Sequence, residues 1–252
     1  MIRFPGRQTP HMTKEGRHLE HLARAPLPTR FGTFELHVYR WDDPDADPSL
    51  SDEHLALVMG DVRGQSGVAV RVHSECLTSE VFASLKCDCK GQLERAQAEI
   101  AKRGSGVLLY LRQEGRGIGL ANKIRAYALQ AEGADTIEAN QRLHLPIDAR
   151  EYDVAVAILR DLGVESVVLM TNNPAKVDAL SALGMTVEER IPMLVAANPF
   201  SQAYLEVKKR KMQHELPSGV FNQKPEPEPT EGSEGPDPAA ARPACGDPRL
   251  SE

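Results

Sequence analysis

Three cysteines, Cys76, Cys87 and Cys89, lie close together in the segment VHSECLTSEVFASLKCDCKGQL, in a Cys-x10-Cys-x-Cys arrangement. Structural zinc closes its shell with four protein ligands, whereas catalytic zinc keeps a position for water or substrate. Three thiolates suit the second kind. Zinc with an open position lowers the pKa of its bound water to about 7, which favours hydrolysis over redox chemistry. Two alternatives stay open at this level: small buried thiols with no metal, or a closed site completed by His73. Cys245 lies far away in a Pro/Glu-rich end, and Cys87 and Cys89 are too close to pair easily as a disulfide. Glu75 and Asp88 are placed to move protons or brace the ligands, or are ordinary solvated carboxylates.

Three further segments bear polar groups suited to an anion or a purine. RQEGRGIG sets Arg112, Glu114 and Arg116 among Gly115, Gly117 and Gly119 just ahead of a predicted helix, whose free backbone N–H groups suit phosphate. The Glu114 carboxylate is of the kind that accepts the N1 and 2-amino edge of guanine. Asp148, Arg150 and Glu151 follow Pro146 at another helix start, where Asp148 reads equally as a cap. In TNNPAKV, Thr171 and Lys176 suit phosphate oxygens while Asn172 and Asn173 shape the turn. Each segment alone is also a plain connection between a strand and a helix.

The elements that must hold these residues follow from apolar periodicity. Strands are expected at Phe31 to Tyr39, His54 to Gly60, Gly67 to His73, Val107 to Leu111, Ser166 to Met170 and Met185 to Ile191. Helices are expected at Gln92 to Lys102, at the stripe Leu120, Ile124 and Tyr127 with Lys123 and Arg125 turned away from it, at Glu151 to Leu162 and at Pro174 to Leu183. The alternation predicts an α/β, mixed α+β fold: one domain with a mixed sheet flanked by helices, and ligands gathered at strand ends. Residues 1–25 read as a loose extension and 217–252 as a disordered tail, because the Pro, Glu and Gly of the latter cannot offset their ordering entropy.

A formal charge of −6 argues against a general nucleic-acid binder. The sequence contains no apolar run of bilayer length and Met1 to Leu22 lacks a secretory core, so a cytoplasmic setting is expected without a membrane partner.

Taken together, RVHSECLTSEVFASLKCDCKGQL, LRQEGRGIGLANKIRAYALQ, DTIEANQRL and TNNPAKV closely resemble GTP cyclohydrolase II of riboflavin biosynthesis, over residues 26–216 and into ERIPMLVAANPFSQAYLEVKKRKMQHEL. The resemblance implies removal of C8 of GTP as formate with release of pyrophosphate, zinc and magnesium as metals, and a homodimer. It implies Cys76, Cys87 and Cys89 as zinc ligands. It implies GTP contacts at Arg71, Val72, His73, Ser74, Glu75, Gln92, Glu114, Gly115, Arg116, Thr136, Thr171 and Lys176. Asp148 and Arg150 match a proton acceptor and a nucleophile, with Arg150 as a stabiliser of phosphoryl charge equally economical, and Tyr127 matches a position near the base. Lys90 and Gly91 depart from the family's usual Gly and aromatic pair, which puts the local backbone in question.

Overall fold

The structure is a computed structural model that describes residues 11–12, 16–44, 51–193 and 195. The tail from 217 and Cys245 lie outside the described residues. Among the described residues eight strands, β1 (His11–Met12), β2 (His18–Thr29), β3 (Gly32–Asp42), β4 (Glu53–Met59), β5 (Val68–Ser74), β6 (Gly106–Leu111), β7 (Ser166–Met170) and β8 (Thr186–Ile191), form one sheet in the order β1-β2-β3-β4-β6-β5-β7-β8. From β1 to β6 the pairs are antiparallel, and β6, β5, β7 and β8 run parallel. The expected mixed sheet is therefore present.

Both faces are covered because successive side chains on a strand point to opposite sides. Val68, Val70 and Val72 of β5 and Val107, Leu109 and Leu111 of β6 pack with Val154, Ile158 and Leu159 of α5 (Asp153–Asp161) and with Leu180 of α6 (Pro174–Ala182). On the opposite face Ala69 and Leu108 meet Ala96 and Ile100 of α2 (Cys89–Arg103), which stops where Gly104 takes a left-handed C-cap at φ 75°. Among the described residues three more helices, α1 (Leu77–Glu80), α3 (Leu120–Ala131) and α4 (Thr136–Arg142), follow β5 and β6 in the chain, with α1 packed on α2 and α3 on α4.

Two expectations need correction. Residues 18–25 are not loose: they belong to β2, which pairs with β3 along its whole length with a register shift between His21 and Ala23. Only Leu19 of β2 is fully buried, so its sequence carries almost no apolar signal, and Pro26 and Pro28 fall where, among the described residues, β2 has no outer neighbour to bond. On α3 two residues of the apolar stripe, Leu120 and Ile124, are exposed and Tyr127 is half-buried, while Lys123 and Ala126 are buried. The inward side of this helix carries Lys123 beside Ala126, which packs with Ala134 and Ala139 in a small apolar cluster.

The buried histidines make stability pH-dependent. His54 Nδ1 accepts the backbone N–H of Arg112 at 3.1 Å, which requires that nitrogen to be unprotonated. Burial, aided by the Arg112 charge, pushes His54 down to about 4 from 6.5. The unfolded chain therefore binds the extra proton first, and stability falls as pH drops from about 6.5 towards 4, by at most about 3 kcal/mol from this group. Unfolding midpoints measured between pH 7.5 and 4.5 should fall with acid, and less steeply in His54→Gln.

Candidate active site

The strand order reverses direction around β5: the connection from β5 leads to β6 on one side, and β7 lies on the other. The C-terminal ends of β5, β6 and β7 there open into a cavity of about 420 Å³, the position where open α/β sheets bind ligands.

Cys76 immediately precedes α1, Cys87 lies just ahead of α2, and Cys89 is the first residue of α2, so two helix N-termini converge on the thiols. Helix N-termini favour negative charge on sulfur. The three Sγ atoms lie within 4.8 Å of one another, with Cys76 and Cys87 at 3.6 Å. Hydrogen bonds from the Cys87 and Cys89 thiols hold Cys76 well below the ordinary thiol range against the cost of burial, with the Lys123 ammonium adding to the effect. The same contacts push Cys87 and Cys89 up. His73 is not part of the group: its Nε2 meets Glu80 Oε1 at 2.6 Å, and Glu80 Oε2 accepts the Tyr110 hydroxyl at 2.5 Å.

The β5 alternation that buries Val72 turns Arg71 and His73 to the α2 face. Arg71 is fully buried and donates to Met170 O at 2.8 Å and to Gln92 Oε1 at 2.5 Å, and Gln92 donates onward to Asp88 between two of the cysteines. Burial lowers Arg71 to about 10, opposed by Asp88. Glu75 is held by Arg112 Nε at 2.9 Å. Glu114 Oε2 accepts Leu77 N–H at 2.7 Å, and Oε1 accepts both Gly115 N–H at 2.6 Å and Lys123 Nζ at 2.8 Å. Three of its four acceptor positions are thus filled within the protein.

Glu114–Gly117 is a single tight turn in which Arg116 takes φ 62°, a left-handed conformation rare for a non-glycine residue. Its carbonyl accepts Ala149 N–H at 3.0 Å, docking the loop that carries Asp148 and Arg150. Arg150 Nε donates to Asp148 Oδ1 at 2.8 Å, a second guanidinium nitrogen binds Oδ2, and Arg150 lines the cavity. Despite burial, these contacts lower the pKa of Asp148. A Cβ on Gly117, which has φ 85°, would stand 2.8 Å from the Ala149 carbonyl oxygen. Gly117→Ala should therefore cost about 1–3 kcal/mol of stability and, by shifting Arg150, lower kcat up to about 100-fold, measured by thermal unfolding and steady-state rates.

On the far rim, Thr171 Oγ1 accepts Asn173 N–H at 3.0 Å, Asn173 caps α6 through Ala175 N–H at 3.1 Å, and Lys176 Nζ donates to Val72 O at 2.8 Å. Tyr127 reaches the cavity from α3, with Lys86 Nζ 4.5 Å from its ring centre, and burial pushes its hydroxyl up to about 12.

Of the expected residues, the cavity gathers Arg71, His73, Ser74, Glu75, Gln92, Glu114, Gly115, Arg116, Tyr127, Arg150, Thr171, Lys176 and the three cysteines. Val72 offers it no side chain, since that packs in the core. Asp148 stands behind Arg150, and Thr136 opens α4, its side chain outside the described residues. Sequence reasoning missed Lys123, Glu80 and the α4 residue Asn140. At Lys90 and Gly91 the helix is regular from Cys89 onward, and the space a Cβ at 91 would fill is taken by Val195, whose Cγ1 would lie 2.7 Å from it.

The family model for GTP cyclohydrolase II matches residues 20–192. The chain belongs to the GTP cyclohydrolase II family. It is 51% identical over 197 residues to GTP cyclohydrolase-2 of Acinetobacter baylyi, covering 78% of this chain and 96% of that one. GTP cyclohydrolase-2 of Picrophilus torridus is 46% identical over 196 residues, 78% of this chain and 98% of the relative. Riboflavin biosynthesis protein RibBA of Aquifex aeolicus is 51% identical over 197 residues, but the match spans only 47% of that longer protein. The family match includes β2 from Glu20, the strand that apolar periodicity does not reveal. Among the described residues no helix is long and apolar enough to cross a membrane.

Proposed function

We propose that this chain hydrolyses GTP to 2,5-diamino-6-(5-phosphoribosylamino)pyrimidin-4(3H)-one, releasing C8 as formate together with pyrophosphate, the first committed step of riboflavin biosynthesis. The observation that carries this reading is one cavity in which a three-cysteine cluster is gathered with Arg116 of the tight turn, Arg150 of the loop before α5 and Lys176 of α6. The sulfurs suit zinc, because two thiolates at about 2.3 Å from a tetrahedral ion stand about 3.8 Å apart, close to the Cys76–Cys87 separation of 3.6 Å. When bound, zinc supplies Lewis-acid activation of water for opening the ring at C8.

The remaining steps belong to side chains. Arg116, Arg150 and Lys176 present positive charge to the phosphate oxygens of the magnesium-bound triphosphate, with Thr171 at the same rim. Glu114 has one acceptor position left on Oε2, so it offers guanine one hydrogen bond and leaves the rest of that edge to its neighbours. Arg150 stabilises charge on the transferring phosphoryl group rather than attacking phosphorus: a guanidinium stays protonated at ordinary pH, and an aspartate whose pKa is lowered is a poor base for it. Asp148 positions that guanidinium. The Tyr127 hydroxyl orients water for removal of the formyl group, which favours the complete reaction over one that stops at a formylated pyrimidine.

Residues 18–216 form the catalytic domain in this reading, which works in the cytoplasm as a homodimer, with 217–252 outside it. Purified protein given GTP, magnesium and zinc should yield a product whose mass lacks the formyl carbon. A product that keeps it would restrict the activity to ring opening, and GTP binding without turnover would indicate a non-catalytic module.

A further inference from the structure

Lys123 is assigned no role by the family motif, yet its ammonium lies inside the site, 3.2 Å from Cys76 Sγ and 2.8 Å from Glu114 Oε1. Burying an ammonium is costly unless it is paired and hydrogen-bonded. Glu114 supplies the pairing and is itself fixed by backbone N–H groups at both oxygens, from Leu77 at the start of α1 and from Gly115. A carboxylate partner alone would not require the ammonium to approach sulfur. Here α3 leaves Leu120 and Ile124 exposed and turns its lysine inward, so that the ammonium is clamped between carboxylate and thiolate.

We propose that Lys123 is a positioning residue of the metal centre, donating an N–H to Cys76 Sγ that aims this thiolate and draws electron density from it. Three thiolates outweigh the charge of a divalent ion and blunt it as a Lewis acid. A hydrogen bond from a cation to one sulfur opposes that effect, and Glu114 keeps the donor in place. The inference rests on the reading that Cys76, Cys87 and Cys89 hold the metal.

The test uses the full chain loaded with cobalt(II), whose thiolate-to-metal charge-transfer band reports sulfur electron density without any turnover of GTP. In Lys123→Met the band should move to lower energy, since a thiolate relieved of its donor gives up an electron more readily. The rate of formate release should fall about 10–100-fold with KM changed less than about threefold. Lys123→Arg, which keeps a charged N–H donor, should restore the band and most of the rate. If Lys123→Met does not fold, Lys123→Leu, which also lacks a donor, takes its place, with the same shift expected. A lower unfolding temperature with the band and kcat at their wild-type values would show a merely structural role and overturn the proposal. A wild-type chain without a thiolate-to-cobalt band would overturn the metal assignment and this role with it. A shifted band in the variant of a chain that releases no formate would sustain the role of Lys123 and sink the proposed reaction.

Discussion

Cys87→Ser is expected to reduce formate release about 10³-fold and to strip the metal from the protein. A bound Lewis acid contributes several kcal/mol to a transition state, and each 1.4 kcal/mol or so is tenfold in rate. Serine is smaller than cysteine and its hydroxyl stays protonated at neutral pH, so two thiolates would remain where three are grouped within 4.8 Å. The substitution also removes the thiol 3.6 Å from Cys76 that helps keep that sulfur ionised. Elemental analysis of the purified variant should find little zinc. Full activity in this variant would refute the metal assignment.

Arg150→Ala is expected to lower kcat by about 10²–10³, the usual consequence of deleting one preorganised group that meets developing charge. Lysine at 150 should recover only part of the loss, because a point charge cannot reproduce the two-pronged contact by which Asp148 fixes the guanidinium. Asp148→Asn, which keeps the shape of the partner but not its charge, should cost less than Arg150→Ala. Pyrophosphate release followed by a coupled assay checks all three. An Arg150→Ala enzyme at the wild-type rate would remove this residue from the chemistry.

The parallel half of the sheet was legible because its strands are short apolar runs between turn signals: Ser166–Met170 matches its expected bounds, β5 is shifted by one residue, and β6 and α6 each differ by one residue at one end only. β2 was not legible, since a strand with one fully buried side chain has no amphipathic signal to read. The cysteines, Glu114, Arg150 and Lys176 were readable by residue type and spacing. Lys123 was misread for a physical reason: periodicity assumes that a helix buries its apolar stripe, whereas α3 buries a lysine against a carboxylate and a thiolate. A lysine a few residues after a glycine-rich turn bearing a carboxylate is the signal available. The occupied acceptors of Glu114 depend on backbone N–H groups of Leu77 and Gly115, which only the folded chain brings together.

The most direct test of the central claim is the fate of C8. With GTP labelled at that carbon, and metal content measured on the same sample, the label should leave as formate in equal amount with pyrophosphate. Label that stays on the nucleotide, from a protein carrying its full complement of zinc, would contradict the account.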